Sequence, residues 1–355
     1  MVAGVQRGRR GHIGRRGAVP GFGDPCRPAG RSAAGTGVSE PIPQALAGER
    51  LDRAVSLLVQ TSRSAAAALV ASGAVLVNGA VRTDRAARLA PGDELSVAAA
   101  ALASQRSAGE PRPEPTVELA VLHEDPHLVV VDKPAGVVVH PGAGRTEGTL
   151  CGGLLARYPE MAAVGERTRP GIVHRLDVGT SGLLVAARSA AAFESLQAQL
   201  ADRTVRRGYE ALCWGSLEDD RGLIDAPVGR SRRRPVQMAV SERGRPARTF
   251  YEVRRRYRSP AAVSHLACRL ETGRTHQIRV HLAAIGHPLL GDEAYGAHVP
   301  GRSPGRRSGE GLPLRLSRPA LHAALLGFSH PVGGREMLFG STLPADLTAV
   351  LAALS

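Results

Sequence analysis

The sequence predicts an α+β chain: a small α/β module, then a larger domain built on a mixed, mainly antiparallel sheet. Three observations predict it. Residues 51–97 carry two short helical patterns followed by an alternating run broken at Asn78-Gly79. Beyond residue 117, strand and helix patterns mix without the regular alternation of a doubly wound sheet. Between the two, residues 104–116 hold Pro111, Pro113 and Pro115 and read as a semi-rigid linker.

Residues 1–43 are rich in Gly, Arg, Pro and Ala without apolar periodicity, and are expected to be a disordered tail. The module then spans 44–103. Leu51, Val55, Leu58 and Val59 fall at helical spacing, with Asp52 near the start. Ser62 or Ser64 can cap a second helix running to about Ala71, with Leu69 and Val70 on its buried side. Gly73 to Val81 alternates around Asn-Gly, a strong hairpin signal. Pro91-Gly92-Asp93 turns into a last strand, Glu94 to Val97. After the linker, residues 117–355 form the second domain, with a further loop expected at 298–318.

The 355 residues carry a net charge of +14, which makes a polyanion the first partner to consider. The excess is local. Residues 1–40 hold seven arginines against two acids, and residues 230–258 hold eleven against two. Each run reads equally well as a solvated face. Lys133 is the only lysine, placed by a turn at Pro134. Arginine cannot replace lysine in Schiff-base chemistry, but a structural role in that turn is the simpler reading.

Cys26, Cys151, Cys213 and Cys268 form no CxxC pair, so neither a zinc site nor a disulfide framework is expected. No apolar run reaches the roughly 18–20 residues that span a bilayer, and no apolar segment follows the first arginines as in a secretory signal. A cytoplasmic location away from membranes is the expectation.

Several common catalytic devices are missing from the sequence. Gly142 to Thr149 is glycine-rich but lacks the Gly-Lys-Ser/Thr ending of a phosphate loop. There is no HExxH, and His276 and His281 stand five apart, off one helical face. Neither metal nor cofactor is expected.

Three segments carry candidate chemistry. Gly171 to Val185 places the polar stretch HRLD-VGTSG between two apolar runs that read as buried strands. Such a loop presents Asp177 beside a cation and a flexible backbone, either as a reacting carboxylate or as a structural partner of Arg175. Arg206 to Gly215 reads as a strand after a helix at 190–202. Tyr209, beside two arginines, is then a base-stacking platform or an ordinary strand tyrosine. Glu271 to Leu282 reads as a strand end, a Gly turn and a helix with Thr275 near its cap, closing around Gly286. Arg279 lies in the first turns, as a site residue or in a surface ion pair.

HRLD with TSGLLV, RRGYEALCWG and TGRTHQIRVHLAAIGHPLLGD stand in the order and rough spacing of the RluA family of RNA pseudouridine synthases, which this chain resembles. VVDKPAG at 130–136 and RPALHA at 318–323 are similar to that family too. The module at 44–103 resembles an S4 RNA-binding domain, and the pairing resembles members acting on large-subunit ribosomal RNA.

The resemblance implies a cofactor-free, monomeric isomerase acting on RNA. Asp177 would be its catalytic aspartate, Tyr209 the aromatic packing on the target base, and Arg279 the partner of the aspartate. His174 and Arg175, with Arg50, Arg53 and Arg63 of the module, are the expected RNA contacts. Arg175 is the candidate to fill the space a flipped base leaves. One carboxylate suffices for such an isomerisation, because water must be kept out for the base to be recaptured, whereas a hydrolase needs a second acid to activate water.

Val178-Gly179 depart from the charged pair found in many members, which bears on loop packing or substrate contacts. Three alternatives stand beside this reading: a non-catalytic S4-type ribosome-assembly factor, a hydrolase releasing free uracil, and transfer RNA as the substrate.

Overall fold

The computed structural model describes residues 36–107, 109–142, 145–234, 236–296 and 316–355. It divides into two compact units at Ser107/Ala108. Most of the tail and nearly all of the 298–318 loop lie outside the described residues.

In the first unit, β1 (Thr36–Pro41) precedes two helices, α1 (Leu51–Leu58) and α2 (Arg63–Ala71). Then come β2 (Val75–Val77), β3 (Ala80–Val81), β4 (Glu94–Ala98) and α3 (Ala99–Ser107). The sheet order is β1-β4-β2-β3, antiparallel throughout. The Ser62 hydroxyl accepts from the amide of Ala65 at 3.2 Å and starts α2 as expected. Asn78 (φ 51°) and Gly79 (φ 76°) are both left-handed, the geometry of a two-residue hairpin turn. Leu51, Val55, Val70, Val75, Leu95 and Val97 are fully buried between helices and sheet.

Two boundaries are corrected here. The predicted tail ends in β1, which pairs with β4 along Thr36–Pro41. The Gly- and Pro-rich surroundings hid it, because an edge strand that short has almost no periodicity of its own. The predicted linker also begins too early, since α3 runs to Ser107. Its far end is tied to the second unit, where Glu114 accepts from the Thr149 hydroxyl at 3.1 Å.

Asp52 is buried in the first turn of α1 and binds two arginines, Arg50 at 3.0 Å and Arg63 at 3.2 Å. The hydrogen bond from Arg50 holds its carboxyl down at about 2, against burial, with Arg63 adding to the effect. Its folded pKa lies below its unfolded one, so this stabilisation is present above about pH 4 and lost as the pH falls through about 2. We expect Asp52→Asn to destabilise α1 and α2 by about 1–3 kcal/mol at neutral pH. Amide hydrogen exchange over residues 51–71 in the full chain checks this; unchanged protection contradicts it.

The second unit runs β5 (Ala120–Glu124), β6 (Leu128–Lys133), α4 (Leu150–Arg157), β7 (Ser181–Ala187), α5 (Ala190–Ala201) and β8 (Arg206–Trp214). It continues through β9 (Arg221–Asp225), β10 (Val228–Arg230), β11 (Met238–Val240), β12 (Arg248–Tyr257), β13 (Val263–Leu270) and α6 (Gln277–Ala284). The chain ends with β14 (Leu321–Ser329), β15 (Glu336–Gly340) and α7 (Ala345–Ala352).

Nine strands form one sheet in the order β5-β6-β7-β14-β8-β13-β12-β9, with β15 on β14. Only β7 and β14 pair in parallel, so the sheet is mixed and mainly antiparallel as predicted. Every residue of β7 is buried. Gly182 is required where β7 meets β14, because a Cβ there would lie 2.3 Å from the carbonyl oxygen of Ala323. Val131, Leu154, Leu184, Ala211, Leu266 and Leu282 belong to the core beneath the site.

Only one of the two apolar runs flanking HRLD is a strand. Ile172 makes a single bridge to Ala186, and the chain from Gly171 to Thr180 is otherwise irregular. The cap of α6 also differs from expectation: it is His276, left-handed at φ 58°, rather than Thr275. Among the described residues no single helix is long and apolar enough to cross a membrane.

Candidate active site

A cleft of about 470 Å³ opens on the sheet, with Asp177, Arg175, Tyr209, His276 and Arg279 in its lining. Asp177 stands on a turn pinned from three sides. Its own carbonyl accepts from the Thr180 amide at 3.0 Å, and Val178 accepts from the Gly136 amide at 2.7 Å. The Gly179 carbonyl accepts from Arg318 at 3.1 Å, and Asp346 holds Arg318 in turn. The Val178-Gly179 departure thus sits in a loop held through the carbonyls of these two residues rather than through their side chains.

Arg279 donates to Asp177 at 3.2 Å. The same guanidinium grips Asp292 with two bonds, at 2.7 and 2.9 Å, and lies 5.0 Å from the centre of the Tyr295 ring. Asp292 is itself buried and accepts from the amides of Ala294 and Tyr295. Burial alone would lower the pKa of Arg279; Asp292 and Asp177 reverse this and raise it. Arg279 is therefore a fixed cation, oriented by Asp292 and presenting one free edge to Asp177. The surface ion pair weighed from sequence is not what forms, nor is the Arg175–Asp177 pair.

Gln277 fixes the turn that launches α6. Its amide oxygen accepts from the Thr272 hydroxyl (2.8 Å) and the Arg274 amide (3.0 Å), and its amide nitrogen donates to the Arg248 carbonyl and the Thr249 hydroxyl. All four hydrogen-bonding positions of a buried amide are used in this way. His276 lies 3.9 Å from Asp177 and bonds the Tyr295 hydroxyl at 2.8 Å; burial lowers its pKa even though Asp177 opposes this. His281 is bonded to Thr249 and Ala226 inside the fold.

Tyr209, on β8, is 7% exposed and faces the cleft. Arg175 is exposed at the rim and makes no hydrogen bond or ion pair among the described residues. His174 turns inward instead: its Nε2 accepts from the amide of Val185 at 3.2 Å. Burial, helped by Arg207, pushes its pKa down to about 3. It is a neutral brace between loop and β7, half-buried in the lining of the cleft.

Lys133 is fully buried, and its ammonium closes the turn by donating to Pro134 (2.8 Å) and Val137 (2.9 Å). Burial pushes it down to about 8, with Asp177 opposing the shift. In the first unit, Arg50 and Arg63 are held by Asp52, and Arg53 by Glu49.

Asp292, Tyr295 and Gln277 were not singled out by sequence reasoning, and His276 was weighed only as a metal ligand. Asp292 had a visible signal as the one acid ending the apolar run LLGD, but its partner lies a full helix away.

A family model described as RNA pseudouridylate synthase matches residues 127–284, and an S4 domain model matches 49–95. The chain is 44% identical to ribosomal large subunit pseudouridine synthase D of Nitrosomonas europaea, over 88% of this chain and 86% of that protein. It is 42% identical to the protein of the same name from Pseudomonas aeruginosa, over 88% and 94%. Among solved structures, human RNA pseudouridylate synthase domain containing 1 is 28% identical, covering 69% of this chain and 91% of that one, with a TM-score of 0.52. With these relatives, and with an S4 domain followed by a pseudouridine synthase domain, the chain belongs to the RluA family of RNA pseudouridine synthases.

Proposed function

We propose that this isomerase converts uridine to pseudouridine in large-subunit ribosomal RNA, with Asp177 as its reacting carboxylate. The observation that carries the assignment is the placement of Asp177 in the cleft, oriented by an arginine that Asp292 holds rigid. The other carboxylate lining the cleft, Glu271, is held by Arg203 and Arg248, which leaves it poorly placed to activate water. That favours isomerisation over release of free uracil. The names of the two bacterial relatives support ribosomal over transfer RNA.

In the reaction the N1–C1′ bond breaks, the uracil turns, and C5 bonds to C1′. The proton on C5 is lost and N1 gains one, so nothing is oxidised. Attack on C1′, addition to the ring and removal of the 2′ proton all begin from an anionic carboxylate next to the sugar, the position Asp177 offers. Tyr209 gives the extruded base a surface to stack on, a contact of roughly 1–3 kcal/mol that offsets part of the unstacking cost. Arg50, Arg53 and Arg63 supply phosphate contacts from the S4 domain, which position the RNA without reading its sequence.

Arg175 fills the gap in the stack. Arg175→Ala should slow the reaction about tenfold or more on folded RNA, and less on an unstructured strand where no stack needs filling. Equal activity on both RNAs would remove that role. The substrate class is tested by tritium release from RNA labelled at C5 of uridine. Purified protein should release tritium from large-subunit ribosomal RNA lacking the modification and not from transfer RNA. The reverse pattern would reassign the substrate.

A further inference from the structure

Five buried side-chain polar atoms lack a hydrogen-bond partner among the described residues. Two of them, on Glu210 and His265, face each other at 2.6 Å. The other three, His140 Nδ1, Thr180 Oγ1 and Arg207 Nε, all belong to residues lining the Asp177 cleft. Polar groups left unpaired by the protein are thus gathered where substrate enters.

Arg207 is the extreme case. It is 8% exposed, always charged, and its guanidinium makes no hydrogen bond or ion pair among the described residues. Its neighbours are treated differently, Arg203 being paired with Glu271 and Arg206 with Glu336. Its Nε is buried without a partner, and the side chain lines the cleft with no protein counterion among the described residues, so a cation kept in this state points to a partner from outside. Gly273 leaves room for the Arg207 side chain itself. A Cβ on Gly273 would lie 2.6 Å from Nη1 of Arg207, so only glycine fits there without moving the guanidinium.

We propose that Arg207 binds a backbone phosphate of the RNA beside the target uridine; this rests on the pseudouridine synthase reading above. Arg207 and Tyr209 are two apart on β8, so their side chains share a face about 6–7 Å apart along the strand. With the uracil on Tyr209, that offset along the strand suits a contact to the RNA backbone rather than to the same ring. A full positive charge without a counterion is matched best by a full negative one, and the planar fork of arginine suits two phosphate oxygens. Thr180 and His140 offer neutral polar atoms to the sugar or base in the same cleft.

The test uses the full chain, a transcript of large-subunit ribosomal RNA, and the variants Arg207→Gln and Arg207→Lys. Binding is measured across a salt series, and melting without RNA. Arg207→Gln should weaken binding about tenfold and flatten the plot of log affinity against log salt by about 0.7–0.9, the value of one lost phosphate contact. Arg207→Lys should keep most of that slope. The melting temperature of RNA-free Arg207→Gln should hold, because no protein hydrogen bond or ion pair of the guanidinium among the described residues is lost.

An unchanged slope, or a lowered melting temperature with unchanged affinity, would overturn the proposal and make Arg207 structural. Gly273→Ala gives a second handle should the glutamine variant not fold: it keeps the charge, displaces the guanidinium, and should weaken binding in the same direction. Binding is read without chemistry, so the outcomes separate. A wild-type chain showing the Arg207-dependent slope but forming no pseudouridine would count against the isomerase reading and for this one.

Discussion

Asp177→Asn should fold and melt like the wild type and form pseudouridine at least about 10³-fold more slowly in single turnover. The replacement is nearly isosteric. Its amide oxygen still accepts from Arg279, and the backbone bonds that pin the turn at Gly136, Thr180 and Arg318 do not involve the side chain. What disappears is the anion. Each route open to this chemistry begins with a carboxylate oxygen attacking or removing a proton, and an amide does neither. RNA binding should persist, since the S4 domain and the arginines around the cleft are untouched. A variant with residual activity within tenfold of wild type would remove Asp177 from the chemistry.

Arg279→Ala is expected to damage stability and activity together. It leaves Asp292 buried with no counterion, and breaking such a pair costs about 3–5 kcal/mol. For a unit of this size that corresponds to a fall in melting temperature of roughly 10 °C. Asp177 loses its orienting donor at the same time, so turnover falls too. The double variant Arg279→Met with Asp292→Leu separates the two effects. Replacing a buried ion pair by apolar side chains of similar volume is often neutral for stability. The double variant should therefore regain most of the melting temperature and none of the turnover. Recovery of both would show that Arg279 serves the fold alone; recovery of neither would mean that the pair is needed for packing.

What was legible from sequence tracks the distance over which each feature is determined. The α1–α2–hairpin run was readable because a serine cap, helical spacing and Asn78-Gly79 act within a few residues of themselves. The general mixture of strands was readable, but not their order. The β14 strand sits between β7 and β8 although about 110 residues separate it from β8, and no local signal specifies such a pairing.

The Asp177–Arg279 contact spans 102 positions and was inferred from motif resemblance; the residues themselves left other partners open. The clamp behind it, Asp292, and the unpaired charge of Arg207 depend on burial, and burial of a polar residue has no periodic signature. His174 is a similar case. Its place in a polar motif gave no sign that its ring also braces the backbone of β7 from the cleft lining.

The measurement that tests the central claim most directly is a carbodiimide primer-extension map of ribosomal RNA from cells lacking this gene, complemented by wild type or by Asp177→Asn. If Asp177 is the reacting group, stops in the large-subunit RNA vanish in the deletion and return with the wild-type gene only. Stops that never change, or that Asp177→Asn restores in full, would contradict the account.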